Sequence, residues 1–239
     1  MCGRFVQHAD PEIYASRYAA ALDAAGLGDW RASFNMAPTR PVLALRAGRD
    51  GGRELTALRW GLIPGWSKGP DNRYSMINAR AETVATRPAY RGAFKRLRCL
   101  IPAEGFYEWR AEGKVKQPYF IHRLDEAPIL LAGLWEHWRP RDGEPVESCT
   151  IIVTDANPAV APVHDRMPVV IDPPAMDVWL DPDNADAAAL QALLQPAPAA
   201  DWALYPVSRR VNDPRTDDPD LLNPLSDSGH AAGSPRDGG

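Results

Sequence analysis

The second residue of the chain is a cysteine, and its position matters more than its type. Methionine aminopeptidases remove Met1 when the next residue is small, and Cys2 qualifies. The mature chain would then carry an α-amine and a thiol on adjacent carbons. An α-amine titrates near pH ~8, so an appreciable fraction is neutral at cell pH. A neutral amine attacks an aldehyde to give a Schiff base, and the neighbouring thiol can add to that imine and close a five-membered thiazolidine. Lysine cannot follow this course, because no thiol lies within its reach. An N-terminal nucleophile also serves amide hydrolysis, with the amine as base for its own side chain. Taken alone, Cys2 leaves both chemistries open beside the plainer reading of an incidental residue. Cys99 and Cys149 lie in RLRCLIPA and ESCTIIVT, apolar strand-like runs that suit small buried hydrophobes. With no CxxC pair, the cysteines suggest neither a zinc site nor a disulfide framework.

Positioning such groups takes a folded core. The 239 residues, 45% apolar and 24% charged, suffice for one large domain or two small ones and exclude a disordered or fibrous chain. No apolar run approaches the roughly 20 residues of a membrane helix, and MCGRFVQHADPE has no secretory h-region, so a cytoplasmic protein is the default. Runs rich in Val, Ile, Leu and aromatics, bounded by Gly, Pro or Asp, predict strands at 41–46, 54–60, 98–101, 118–123, 129–134 and 149–154. Helices are expected at 11–22, 89–95, 174–180 and 185–194. Strands and helices do not alternate regularly. The pattern predicts an α+β fold built around a mainly antiparallel sheet or barrel with peripheral helices, rather than a doubly wound fold. Residues 226–239, rich in Ser, Gly, Asp and Pro, read as a disordered tail.

A net charge of −4 speaks at first against nucleic acid as a partner. Its distribution does not. Residues 1–110 hold 17 Lys and Arg against 10 Asp and Glu, whereas residues 111–239 hold 10 against 21. The basic excess is densest from Arg80 to Arg98, downstream of Trp60, Trp66 and Tyr74. Cations interleaved with aromatics suit single-stranded nucleic acid, since phosphates take the charge and bases stack on rings. A solvated basic face is the rival reading.

MCGRF at the start is followed by FNMAPT (34–39), RWGLIPGW (59–66), INARAET (77–83), GFYEW (105–109) and VHDRMP (163–168), with PVSRRVN (206–212) and PDLLNPL (219–225) near the end. In order and approximate spacing these blocks resemble the SRAP family, the SOS response-associated peptidase proteins that process abasic sites in DNA. The resemblance covers about residues 1–225. It implies a compact α+β domain around a barrel-like core, binding to abasic sites in single-stranded DNA, and a covalent link from an exposed N-terminal cysteine to the aldehyde of the ring-opened sugar. Peptidase-like and DNA-lyase activities are also implied.

On this resemblance Cys2 matches the nucleophile, Glu108 the active-site glutamate, His164 the histidine and Asn78 a polar partner at the site. Phe106, Tyr107 and Trp109 around Glu108 would raise its pKa and suit it to proton transfer. His164 can exchange the proton that opens the closed hemiacetal sugar. Asn78 can hold the sugar or the amine. Arg80, Arg4 and Arg166 are matched to phosphates, and Trp66 and Pro38 to bases beside the lesion, with core packing a rival for both. His8, His122, His137 and His230 match no active-site block. No metal and no cofactor are inferred, since no residue set has metal-ligand spacing and no Gly-rich phosphate loop precedes a helix. The expected state is a monomer, cytoplasmic, and nucleoid-associated when bound to damaged DNA. Two alternatives remain: an N-terminal-cysteine peptidase or amidohydrolase using Cys2 and His164, and a non-covalent single-strand-binding module.

Overall fold

A computed structural model describes residues 2–69 and 76–225. Tyr74, His230 and the tail expected at 226–239 lie outside the described residues. In chain order the elements are β1 (Arg4–Gln7), α1 (Pro11–Arg17), β2 (Ala20–Leu22), β3 (Ser33–Met36), β4 (Pro41–Ala47), β5 (Arg53–Trp60), β6 (Asn78–Arg80), α2 (Arg91–Arg96), β7 (Arg98–Ala103), β8 (Gly105–Glu112), β9 (Val115–Arg123), β10 (Ile129–Trp138), β11 (Val146–Asp155), β12 (Arg166–Pro168), α3 (Met176–Leu180), α4 (Ala187–Ala192) and β13 (Trp202–Pro206).

Strands dominate, as the sequence pattern predicts for an α+β domain. All six expected strands are present. Strands β11, β10, β7, β4 and β5 pair antiparallel in that order. The ring closes where β5 meets β11 in parallel, Ser148 opposite Arg59 and Cys149 opposite Trp60. Closure leaves no free edge among these five strands, and residues on both of their faces, Leu43, Leu45, Leu55, Leu100 and Leu134 on one and Ile101, Ile151 and Val153 on the other, are fully buried. Cys99 and Cys149 are buried here as well.

A second, five-stranded sheet runs in the order β13, β9, β8, β1, β3, all antiparallel. The chain passes into it directly from the barrel, β7 ending at Ala103 and β8 starting at Gly105. Gln7 stitches the two layers together. Its buried amide donates to the carbonyls of Leu43 (3.1 Å) and Pro102 (2.7 Å) and accepts from Leu43 N–H (2.8 Å) and the Trp30 indole (3.0 Å). Each polar atom of this side chain is satisfied, which is the condition for burying it without a large penalty. The outer face of this sheet is covered by residues 207–225. Val207, Val211 and Leu221 pack there with Val6, Tyr107 and Phe120.

Two expectations are corrected. The helix expected at 11–22 stops at Arg17. Asp10 caps it through Oδ1 to Glu12 N–H (2.8 Å) and Pro11 sits in its first turn, as the sequence suggested. Ala19 then takes φ 49°, in the left-handed region, and Ala20–Leu22 pair in parallel with β5. Cross-chain pairing overrides the helix propensity of the alanines. The second correction concerns the basic run. Arg98 is no part of a solvated face, being 1% exposed. Its guanidinium donates to the carbonyls of Trp179 (2.5 Å), Phe94 (2.8 Å), Lys95 (2.6 Å) and Asp181, tying the ends of α2 and α3 to the barrel. Helix C-terminal carbonyls lack partners of their own and carry partial negative charge, so a cation satisfies both needs.

Gly105 opens β8 because nothing larger fits. A Cβ there would meet Ile121 O and the Phe120 ring at 2.6 Å, across the β8–β9 pair. Gly105→Ala is expected to destabilise the fold by about 1–3 kcal/mol through forced displacement of a buried ring and backbone. Urea unfolding measures this, and an unchanged midpoint would refute it.

Candidate active site

The N-terminal residues reach the site through β1. Arg4 pairs with Tyr107 and Phe5 with Phe106, an antiparallel register that carries the chain start alongside Glu108. Cys2 is fully buried, where the family resemblance implies an exposed nucleophile. The reason is local. The Asn78 amide Nδ2 donates to the Cys2 carbonyl (2.9 Å) and Sγ lies inward, 4.0 Å from the Arg4 carbonyl oxygen. Burial pushes the Cys2 thiol well above its ordinary range, and the nearby Glu108 carboxylate pushes it the same way.

Asn78 is itself held by its neighbours. It opens β6, which pairs in parallel with β11, Asn78 opposite Ile151. The Tyr90 hydroxyl donates to the Asn78 carbonyl (3.2 Å), and the preceding Ile77 carbonyl accepts from the Trp60 indole (3.0 Å). The Asn78 side-chain oxygen is buried and finds no partner among the described residues.

Glu108 stands on β8, opposite Tyr119 of β9, and is 2% exposed. Burial raises its carboxyl to about 7, so at neutral pH it is poised between acid and base. His164 Nε2 lies 3.9 Å from Glu108 Oε2. The imidazole is oriented from its other side, where Nδ1 accepts the Arg166 backbone N–H (3.0 Å). A ring nitrogen that accepts carries no proton, so the neutral tautomer bears its proton on Nε2, toward Glu108. Asp165 Oδ1 also lies 2.9 Å from Nδ1, a contact that only a protonated ring would favour. Asp165 is exposed to water, and burial lowers the His164 pKa, so the neutral form and the backbone bond prevail. The loop that carries His164 is set by Asn157. Its Oδ1 accepts from the N–H groups of Ala159 and Val160 (both 3.0 Å), while Nδ2 donates to the Ala197 carbonyl (2.8 Å).

The fold therefore gathers Cys2, Asn78, Glu108 and His164 into one place. The residues matched to DNA are treated less uniformly. Trp66 is 70% exposed and Arg80 is exposed, whereas Trp60 is core. Pro38 is half-buried in a turn whose next residue, Thr39, sits at φ 74° and donates to the Trp60 carbonyl (2.8 Å). Arg166 is ion-paired with Glu82 and, at 3.4 Å, with Asp155. Arg4 is tied down: its Nη1 donates to Asn35 Oδ1 (2.9 Å) and to the Val211 carbonyl (2.8 Å). Asn35 in turn donates to the carbonyls of Val211, Asp213 and Thr216, anchoring the segment that covers the second sheet. The other histidines lie in different surroundings, His8 stacked on Phe34, His122 on Phe120, and His137 beside Glu147.

Asn35 and Asn157 were not singled out from the sequence. For Asn157 a signal existed: Asn followed by Pro is a turn initiator whose side chain bonds its own backbone. Asn35, inside a strand, gives no such sign. A cavity of about 410 Å³ opens beside the site, lined by Glu108, Trp109, Lys116, His164 and Asn212. Trp109 Nε1 donates to Asn212 Oδ1 (2.7 Å) at its wall. Among the described residues no helix is long and apolar enough to cross a membrane.

A closed five-strand barrel joined to a second sheet, with Cys2, Asn78, Glu108 and His164 at their junction, is the setting in which the comparisons with known proteins fall. The model of the SOS response associated peptidase family, SRAP, matches residues 1–214, and the chain belongs to that family. It is 39% identical to the abasic site processing protein YoqW of Bacillus subtilis (strain 168) over 224 residues, which is 93% of this chain and 99% of that protein. Identity to the abasic site processing protein HMCES of Gallus gallus is 34% over 229 residues, 83% of this chain and 68% of that protein. Among solved structures, a protein from Bacteroides thetaiotaomicron superposes with a TM-score of 0.84 at 26% identity, covering 94% of this chain and all of that one.

The raised Glu108 pKa has a consequence for stability. Below the ordinary carboxyl range, folded and unfolded chains both hold the proton. As pH rises toward 7 the unfolded chain has lost it and the folded chain keeps it, so stability falls, and above about 7 the full penalty is in place. The penalty is on the order of 3 kcal/mol at one pKa unit per 1.4 kcal/mol. Glu108→Gln removes the titration, so the variant should gain stability relative to the parent between about pH 4 and pH 8. Parallel pH profiles in urea unfolding would refute the assignment.

Proposed function

We propose that this chain processes abasic sites in DNA, and that it does so by covalent capture through Cys2 once Met1 has been removed. The carrying observation is the buried Glu108 carboxyl, poised near pH 7 beside Cys2, with His164 Nε2 3.9 Å away. The names of the relatives support the coarser reading, since YoqW and HMCES are both abasic site processing proteins.

The chemistry follows from the groups present. An abasic sugar is mostly a closed hemiacetal. The Glu108 carboxylate can take the proton of the anomeric hydroxyl and pass it to the ring oxygen, to which His164 Nε2–H donates a hydrogen bond, and the ring opens to the aldehyde. The Cys2 amine attacks the aldehyde carbon, and the proton it loses can pass to Glu108. The same carboxyl returns a proton to the carbinolamine hydroxyl, which leaves as water. Cys2 Sγ then bonds to the imine carbon, and the thiol proton goes to the nitrogen. One water is lost in all. The high thiol pKa is no obstacle, because the protonated imine places a positive charge close to sulfur as it attacks. Asn78, by holding the Cys2 carbonyl, fixes the residue that must carry both nucleophiles. The substrate fitting this scheme is an abasic site in single-stranded DNA, which the exposed Trp66 and Arg80 would contact by stacking and by charge.

Intact-mass measurement tests the scheme. After incubation with a single-stranded oligonucleotide holding one abasic site, the mass should equal that of the chain from Cys2 onward plus the strand minus one water. Cys2→Ala should give no adduct, and Glu108→Gln should slow adduct formation by about 10²–10⁴ while still binding intact strands. A chain that retains Met1, or a Cys2→Ala variant that cross-links as well as its parent, refutes covalent capture. Turnover of a peptide without DNA would point instead to amide hydrolysis. Salt-sensitive binding with no adduct would point to a non-covalent module.

A further inference from the structure

The cavity beside Glu108 has a use that the proton-transfer groups do not explain. Its volume of about 410 Å³ falls within the roughly 300–1,000 Å³ of small-ligand sites. Glu108 and His164 line it, so whatever fills it adjoins the reacting atoms. Trp109, Lys116 and Asn212 complete the lining. Trp109 supplies an apolar wall. Its indole N–H holds Asn212 Oδ1 at 2.7 Å, which turns the amide N–H donors of Asn212 away from Trp109 and leaves them, among the described residues, without an acceptor. Lys116 is exposed and makes no ion pair among the described residues. This sets it apart from two arginines matched to phosphate by the sequence: Arg4 is bound to Asn35 and Val211, and Arg166 to Glu82 and Asp155.

We infer that this cavity is a phosphodiester subsite, in which Lys116 and the Asn212 amide hold the phosphate flanking the lesion while Trp109 packs against its sugar. The inference rests on the reading that the chain takes a DNA strand, and names a residue of that site which no motif assigned. A strand whose abasic sugar sits at Glu108 carries a phosphate on each side of that sugar, so one anion must lie close by. A cation and neutral amide donors suit it, and the tryptophan face suits the sugar it joins. Electrostatics at the site agree. The Lys116 charge is felt at His164, where it adds to burial in keeping the imidazole neutral. Glu108, held up near 7 by burial, carries only part of its negative charge at neutral pH and opposes an anion less than an ordinary carboxylate would.

The probe is a short single strand with a central tetrahydrofuran residue, which mimics the abasic sugar and offers no aldehyde. Its equilibrium binding is measured without covalent chemistry, on the full chain and on Lys116→Ala, Lys116→Arg and Arg49→Ala. Arg49 is an exposed cation on the turn between β4 and β5 and controls for loss of charge alone. Lys116→Ala is expected to weaken binding about fivefold at low salt, the size of one well-placed charge contact. The slope of log Kd against log salt should fall by about 0.7, the value for one phosphate contact on a single strand. Lys116→Arg should restore most of the affinity, and Arg49→Ala should lose little. Unchanged affinity and slope in Lys116→Ala, or an equal loss in Arg49→Ala, overturns the inference. Adduct formation on a true abasic strand is read separately, so failure of covalent capture and failure of this subsite give different results.

Discussion

The register between β1 and β8 is the constraint on which the rest of the site depends. Arg4 opposite Tyr107 and Phe5 opposite Phe106 leave one position for the residues ahead of β1, beside Glu108. A slip of one residue would turn every side chain of β1 to the other face. The register is held from several sides. Phe5 packs on Trp60 with ring centroids 5.0 Å apart, Gln7 is bonded to β4 and β7, and Arg4 is bonded to Asn35 and Val211. Each of these contacts spans distant parts of the sequence. The first residues of a chain ordinarily fray; here Arg4 and Cys2 are tied into a sheet and a barrel.

The raised pKa of Glu108 draws on the same packing. A carboxylate on an isolated β-hairpin would face water and titrate like any other. Glu108 does not, because the second sheet is laid against the barrel and takes the residue out of solvent. His164 approaches from a loop after β11, and its tautomer is set by a backbone N–H rather than by a second side chain. The arrangement joins one strand of the second sheet to one loop of the barrel, and neither part holds an acid–base pair alone.

Legibility from the sequence varied with the range of the forces involved. Five of the six long apolar strands were readable because burial on both faces of a closed barrel favours apolar runs, and the sixth, β9 of the second sheet, because it is buried from Gln117 to Ile121. Strands as short as β2, β6 and β12, three residues each, carry too little pattern to be seen. β8 contains Glu108, yet GFYEWRAE reads as a motif and not as a strand, since its burial pattern changes from buried to exposed along its length. The basic run from Arg80 to Arg98 shows the same limit. Composition cannot separate Arg80, which is exposed, from Arg98, which is swallowed by helix ends. Nor can it separate Trp66, exposed to solvent, from Trp60, packed in the core.

By itself the sequence determined the chemical inventory. It put a cysteine second, placed Asn78, Glu108 and His164 in motifs whose order carries the family, and set a basic half against an acidic one. It also determined an α+β class rich in antiparallel strands, through runs that had to be buried, while the barrel came only with the family resemblance. Tertiary structure decided which of these groups meet, how Glu108 reaches about 7, and which nitrogen of His164 bears the proton. It also decided that Cys2 is buried where the resemblance implied exposure, and that Arg4 serves the strap of residues 207–225. The physical reason is common to all of them. Desolvation and hydrogen bonding depend on neighbours brought from far along the chain, and no local pattern of residues encodes who those neighbours are.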